Sequence, residues 1–346
     1  MHMADALLSP TVGLAMNAVS AAAIGVAAAK VKKDEIGEKI IPIMGVAGAL
    51  VFAGQMINFT IPATGSSGHI GGGILLAGLL GGIPAFLSIA AVLIIQCLFF
   101  ADGGFLALGC NIFNLGVIPC LLVYPLIFRP LLKGGADFNR ISIASIAAAV
   151  TGLELGAFCV TLQTLLSGVT ELPFGTFAAL MLPVHLVIGL IEGIVTAAVL
   201  CFIYKIRPEI IDSARSGERL HGVSTKKALI ALVALAAVAG GALSLFVSEN
   251  PDGLEWAVGK TTEKVFGEET ELEAHGGIFD GAAKVQESIA FLPDYAFASD
   301  PENAAGTSVS GIIGAAFTFI LAGLTGLMIS TLKKRAGTSK KAAANV

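Results

Sequence analysis

Long apolar stretches constrain this chain more than any other feature of its sequence. They cover residues 11–29, 40–59, 70–82, 84–100, 105–128, 141–163, 178–204, 228–247 and 309–332. Roughly 20 apolar residues cross the hydrocarbon of a bilayer as a helix, and a spanning segment must satisfy its own backbone hydrogen bonds. The stretch 70–82 is short for a span, and Pro119 and Pro125 should bend the helix that holds them. Charged residues make up 13% of the chain and its mean hydropathy is +0.85, whereas soluble domains carry about 25% charged residues. The expected fold class is all-α and integral to the membrane: a polytopic helix bundle of about nine transmembrane helices, with an acidic extracytoplasmic loop.

Charge placement orients this bundle. If the loop after the first stretch is cytoplasmic, an odd number of spans puts every Lys and Arg except Lys260, Lys264 and Lys284 on the cytoplasmic side, as the positive-inside rule expects. An even number would invert half of the basic loops. Residues 1–10 then begin outside, and so do the loop that ends at His69, Asp102 and the long segment 248–308. That segment carries 13 acidic residues, from Glu249 to Glu302, against three lysines, and such a surface concentrates cations. The C-terminus is expected in the cytoplasm.

An external N-terminus gives Met1-His2 a chemistry. Residues 1–10 hold no Lys or Arg, so the positive start of a secretory signal is missing. His in second place is too bulky for removal of the initiator Met, and the mature chain is expected to begin at Met1. Its α-amine and the His2 amide close a five-membered ring on a metal ion, and the nearer imidazole nitrogen of His2 closes a six-membered one. Three nitrogens in one plane leave a fourth corner for an imidazole from elsewhere. Square-planar nitrogen ligation suits Ni(II) or Cu(II), with low-spin Co(II) as a further option.

Other polar residues interrupt the apolar pattern. His69 sits in Gly65-Ser66-Ser67-Gly68-His69-Ile70-Gly71-Gly72-Gly73, where glycines let backbone approach a ligand closely. Asn111 and Asn114 share one helix face by their spacing, and Gln96 and Asp102 precede them. Polar side chains at membrane depth face the bundle interior or a cavity. Ser67, Gln96, Asp102, Asn111 and Asn114 are therefore candidates either for interhelical hydrogen bonds or for orienting a metal-bound imidazole from outside its coordination sphere. His185 and Glu192, seven residues apart, lie on a common face of one span. A structural bond there, with Glu154 as a further partner, is favoured over an ion path. His221 and His275 fall in polar loops and receive no role.

Several chemistries are excluded. The five cysteines lie in apolar runs without a C-x-x-C pair, so neither a zinc site nor a disulfide framework is indicated. Gly259-Lys260-Thr261 resembles the end of a phosphate-binding loop, but Gly253 is one residue too far upstream. No H-E-x-x-H, G-x-S-x-G or paired intramembrane Asp motif supports a hydrolase.

The opening Met1-His2-Met3-Ala4-Asp5-Ala6-Leu7-Leu8-Ser9-Pro10, the glycine-flanked His69, Phe99-Phe100-Ala101-Asp102-Gly103-Gly104 and Gly109-Cys110-Asn111-Ile112-Phe113-Asn114 together resemble the nickel/cobalt substrate-binding components of energy-coupling factor transporters, the CbiM and NikM type. The resemblance covers residues 1–205. It implies that the Met1 amine, the His2 amide and imidazole, and the His69 imidazole hold the metal in a plane. Residues 225–335, with Pro251-Asp252-Gly253-Leu254-Glu255-Trp256, resemble the PDGLE-type part of fused forms, comparable with the small N-type subunit that metal loading requires.

The implied organisation is an M-type metal-binding transmembrane domain over 1–205 and a cytoplasmic linker over 206–227. A PDGLE/N-type part follows over 228–335, with two spans flanking loop 248–308, and then a cytoplasmic tail over 336–346. The implied partners are a transmembrane coupling subunit and cytoplasmic ATPase subunits, with no nucleic acid and no catalytic cofactor. The expected function is metal binding for ATP-driven uptake across the cytoplasmic membrane, with Ni(II) or Co(II) as the transported substrate and Ni(II) favoured by the planar site. The alternative is a self-sufficient permease or channel for a divalent cation. A metalloenzyme would need an open coordination position for an activated water, which four filled corners deny.

Overall fold

The computed structural model describes residues 1–31, 37–218, 220, 224–270, 272, 274, 276–297, 299, 300, 303 and 305–343, the last ten by backbone alone. Lys32, Lys33, Arg219, His221, His275 and residues 344–346 lie outside the described residues.

After a short 3-10 turn over Asp5–Leu7, helix α1 (Pro10–Lys30) starts where Ser9 accepts a hydrogen bond from the Val12 amide and Pro10 takes the first turn. Helix α2 (Ile40–Gln55) leads into an antiparallel hairpin of β1 (Phe59–Ile61) and β2 (Ser66–Gly68), in which Thr60 pairs with Ser67. Then come α3 (Gly73–Leu80), α4 (Gly82–Phe100), α5 (Leu108–Leu131), α6 (Phe138–Ser167), α7 (Phe174–Ile206) and the short α8 (Pro208–Ser216). Helix α9 (Lys226–Gly241) precedes two further helices, α10 (Gly253–Phe266) and α11 (Gly277–Ile289), and α12 (Ala305–Ala343) ends the order.

Among the described residues seven helices are long and apolar enough to cross a membrane, fewer than the nine or so read from the sequence. Helix α2 has 16 residues, and α3 has only eight. Part of the stretch 70–82 is extended chain, because Gly72 adopts a left-handed conformation (φ 76°) and starts α3 late. The chain is also not purely helical, since residues 59–68 form the hairpin. The acidic segment 248–308 is not a bare loop but carries α10 and α11. Helix α12 runs on to Ala343 through the expected tail. Residues Phe113–Phe128 of α5 wind as a π-helix around Pro119 and Pro125, which lack the amide protons an α-helix would use.

Helix α4 is enclosed on nearly every side, and α1 lies at the periphery with most of its residues uncovered. Small residues let the helices approach: a Cβ on Gly193 of α7 would come within 2.6 Å of the Ile146 Cα on α6. Gly240 of α9 and Gly311 of α12 lie back to back, and α12 also lies on α2, where Gly45 meets Phe319. One end of the bundle gathers basic residues. There Lys333 bonds the Ala29 carbonyl, Arg129 Nη2 donates to Ser216 O (3.5 Å) and Arg207 Nε donates to Ser224 O (2.8 Å). The N-terminus enters the bundle at the other end.

Candidate metal site

A chain terminus is usually frayed unless something ties it down. Here the first residues are threaded into the protein: Met1 is 5% exposed, and Met3, Leu7 and Leu8 are buried. Asn111 on α5 reads both sides of the Met3 peptide backbone, accepting from Met3 N (2.7 Å) and donating to Met3 O (3.3 Å). Gly104 N also donates to Met3 O (2.9 Å), and Asp5 Oδ1 accepts from Ala107 N (2.9 Å). Gly104 must be glycine for this close approach, since a Cβ there would sit 1.9 Å from Asp5 Oδ1.

The structure brings Met1, His2 and His69 together. The Met1 amine lies 3.0 Å from His69 Nε2, and the two imidazoles stack with centroids 5.1 Å apart and planes at 17°. His69 Nδ1 is 3.0 Å from the Ile70 carbonyl. A carbonyl only accepts, so Nδ1 carries the proton and Nε2 turns its lone pair to the amine. His2 Nδ1 faces Asp102 Oδ1 at 3.2 Å, and His2 Nε2 is buried without a partner among the described residues. Burial, reinforced by the nearby ammonium, lowers both imidazoles to about 3. Both are therefore neutral and able to act as ligands.

Two neighbours come from the second half of the chain. Asp252 Oδ2 lies 2.8 Å from the Met1 amine and 4.0 Å from His69 Nε2. Its Oδ1 caps α10 by accepting from Leu254 N (2.7 Å) and Glu255 N (2.9 Å), while Glu255 returns a bond to Asp252 N. Burial alone would raise the Asp252 carboxyl, but the ammonium and the hydrogen bonds outweigh it and hold the group below its usual range. Asp102 Oδ2 accepts a short 2.5 Å bond from the Tyr295 hydroxyl. Asp294 and Tyr295 reach that position with φ of 51° and 60°, values few non-glycine residues adopt.

The five residues read from the sequence as candidates either for interhelical hydrogen bonds or for orienting an imidazole divide in the structure. Asp102 pairs with the His2 imidazole, and the Gln96 side chain lies against the same ring. Ser67 instead binds residues ahead of Asp252, its Oγ donating to Asn250 O (2.8 Å) and its amide to Pro251 O (2.8 Å). Asn111 holds the Met3 backbone, and Asn114 exchanges amide hydrogen bonds with Gln163 (2.9 and 3.1 Å). Gln96 is buried with its side chain against His2 and Tyr295, where neither amide atom completes a well-formed hydrogen bond among the described residues. His185 and Glu192 do not bond each other. His185 Nδ1 pairs with Met181 O (2.8 Å), its Nε2 has no partner among the described residues, and Glu192 accepts from the amides of Gly71 (2.6 Å) and Gly72 (3.0 Å). Glu154 Oε1 has no partner among the described residues either. Sequence reasoning assigned Asp252 no place at the site; the only available signal was its position in the Pro251–Trp256 motif.

Among the described residues no three His, Cys, Asp or Glu side chains cluster to hold a metal ion. A site built here would have to draw on main-chain nitrogen. Two neighbouring nitrogens on a square-planar ion, with bonds of about 2.0 Å, lie about 2.8 Å apart. The Met1–His69 separation of 3.0 Å is close to that edge.

Residues 2–210 match the model of a family described as the cobalt uptake substrate-specific transmembrane region, CbiM, and residues 226–331 match the PDGLE domain. The fused nickel transport protein NikMN of Rhodobacter capsulatus is 28% identical over 97% of this chain and 100% of its own. The cobalt transport protein CbiM of Sorangium cellulosum is 32% identical over 49% of this chain and 76% of its own. A crystal structure of a transition metal transporter superposes with a TM-score of 0.53 at 29% identity, covering 62% of this chain and 99% of that one. The chain therefore belongs to the CbiM family, the substrate-specific membrane components of cobalt and nickel uptake transporters, and carries a PDGLE domain behind the CbiM region.

Proposed function

We propose that this multi-pass membrane protein, a transport component and not an enzyme, captures Ni(II) or Co(II) at the end of the bundle that holds Met1. The ligands are the Met1 amine, the His2 amide nitrogen, His2 Nδ1 and His69 Nε2. The near-square edge between Met1 N and His69 Nε2 carries this reading. Binding releases a proton from the Met1 ammonium and one from the His2 amide to solvent, and the imidazole proton of His2 moves to Nε2 as Nδ1 exchanges Asp102 for the metal. Planar nitrogen ligation favours Ni(II), and a relative matching almost the whole chain bears a nickel transport name.

In this reading the site faces outward, because the basic residues collect at the opposite end and positive loops stay cytoplasmic. A coupling subunit and ATPase subunits of an energy-coupling factor transporter drive delivery inward. The ordered approach of the PDGLE part to Met1 makes it the element that prepares the terminus for loading.

X-ray absorption of the nickel-loaded, detergent-purified chain tests the ligand set. Four nitrogen neighbours near 2 Å are expected, and one residue added ahead of Met1 should abolish tight binding. Sulfur or six oxygen neighbours, or unchanged affinity in the extended chain, would sink the proposal.

A further inference from the structure

Glu192 is buried in the middle of α7, and its carboxylate has no role in the ligand set. Its two oxygens accept from consecutive backbone amides, Gly71 N at 2.6 Å and Gly72 N at 3.0 Å. The first of these belongs to the Ile70–Gly71 peptide unit, and the carbonyl of that same unit, Ile70 O, is the partner of His69 Nδ1 at 3.0 Å. One rigid peptide plane thus has Glu192 at its N–H and His69 at its C=O. The next plane is fixed at both ends too: Gly71 O accepts from Gln55 Nε2 (2.8 Å), and Gly72 N reaches Glu192.

The surroundings leave little slack. Gly72 has φ 76°, and a Cβ there would lie 2.4 Å from Val51 Cγ1. A Cβ on Gly71 would stand 3.3 Å from Glu192 Oε2. Neighbouring His185 does not compete for the carboxylate, since its Nδ1 is held by Met181 O.

We propose that Glu192 is the positioning residue for His69, acting through the Ile70–Gly71 peptide. An anion at the N–H of a peptide polarises its carbonyl and strengthens the bond that carbonyl accepts. That bond keeps the proton of His69 on Nδ1, fixes the ring plane, and leaves Nε2 as the basic nitrogen for the metal. The proposal rests on the ligand set given above. It adds a residue on a different helix, so movement of α7 is transmitted to the fourth corner of the site.

Nickel affinity of the full chain in detergent, measured by competition with a chromophoric chelator, tests this in a four-variant cycle: parent, Glu192→Gln, His69→Ala and the double variant. A glutamine offers one acceptor oxygen and turns its NH2 against the second amide. Glu192→Gln should weaken binding by about 10- to 100-fold where His69 is present and change it less than twofold in the His69→Ala background. Unchanged affinity, or the same loss in both backgrounds, overturns the proposal. Hydrogen exchange at Gly71 in the metal-free protein gives an independent readout. Faster exchange in Glu192→Gln supports the clamp, and unchanged exchange overturns it. Were His69→Ala to bind nickel like the parent, the ligand set would fall, and the exchange result would still decide the clamp. If Glu192→Gln does not insert, Glu192→Asp, which keeps the charge on a shorter arm, enters the same cycle.

Discussion

Asp252 Oδ2 lies 2.8 Å from the Met1 α-amine, although 251 positions separate the two residues. The same carboxylate starts α10, so one side chain begins a helix in the PDGLE domain and holds the terminus of the CbiM region. In Asp252→Asn the cap survives, because Asn also caps helices well, but the charge is lost. A hydrogen bond to a charged group contributes about 1.5–3 kcal/mol, and the metal-free variant should be destabilised by about that much. Asp252→Ala should lose about 1 kcal/mol more with the cap. Thermal melts in detergent check both.

Gly104→Ala tests the threading of the terminus. The added methyl would overlap Asp5 Oδ1 and crowd the Asp5 amide. We expect the helix bundle to form and residues 1–5 to be displaced, with nickel affinity reduced at least tenfold. Limited proteolysis of the first residues, which are held in place by Asn111, Gly104 and Ala107 in the parent, reports the displacement directly.

Tyr295→Phe removes the donor to Asp102. Burial raises the Asp102 carboxyl and the Tyr295 bond opposes that rise. The variant therefore leaves a half-buried carboxylate oxygen short of a partner, at a cost of about 1 kcal/mol, the low end of the range for buried groups. The phenylalanine should keep its stacking on Phe100, whose ring centroid is 5.0 Å away. A fall in melting temperature, together with altered nickel loading, is the expected outcome; a parent-like melt would show that the hydroxyl contributes nothing.

Acid should destabilise the metal-free protein earlier than carboxylates alone would predict. His2 and His69 are lowered to about 3 in the folded chain, against about 6.5 when unfolded. Between those values the unfolded state binds more protons, so stability falls as pH drops from about 6.5 toward 3. Melting temperatures at stepped pH should decline through this window, and His69→Ala should decline less steeply.

The sequence by itself determined the membrane class, the places of most long apolar helices and the clustering of basic residues in the segments between them, because each follows from local composition and from the energetics of burying charge in lipid. It also offered Met1-His2 as a candidate chelate, since chelate rings depend on covalent spacing, while His69 entered through its glycine-flanked loop and the family resemblance. Tertiary structure decided the rest. Whether residues 70–82 cross as a helix depended on Gly72 and on the backbone bonds to Glu192 and Gln55, which local pattern does not encode. The partners of each candidate also lay far away in sequence. Asn111 went to Met3, Ser67 to Asn250 and Pro251, and Glu192 to a glycine loop instead of His185. Hydrogen bonds are short and directional, so their pairing is set only when distant segments are packed to within about 3 Å. Asp252 caps α10 through contacts with its own neighbours, and packing set its second oxygen against the first atom of the chain.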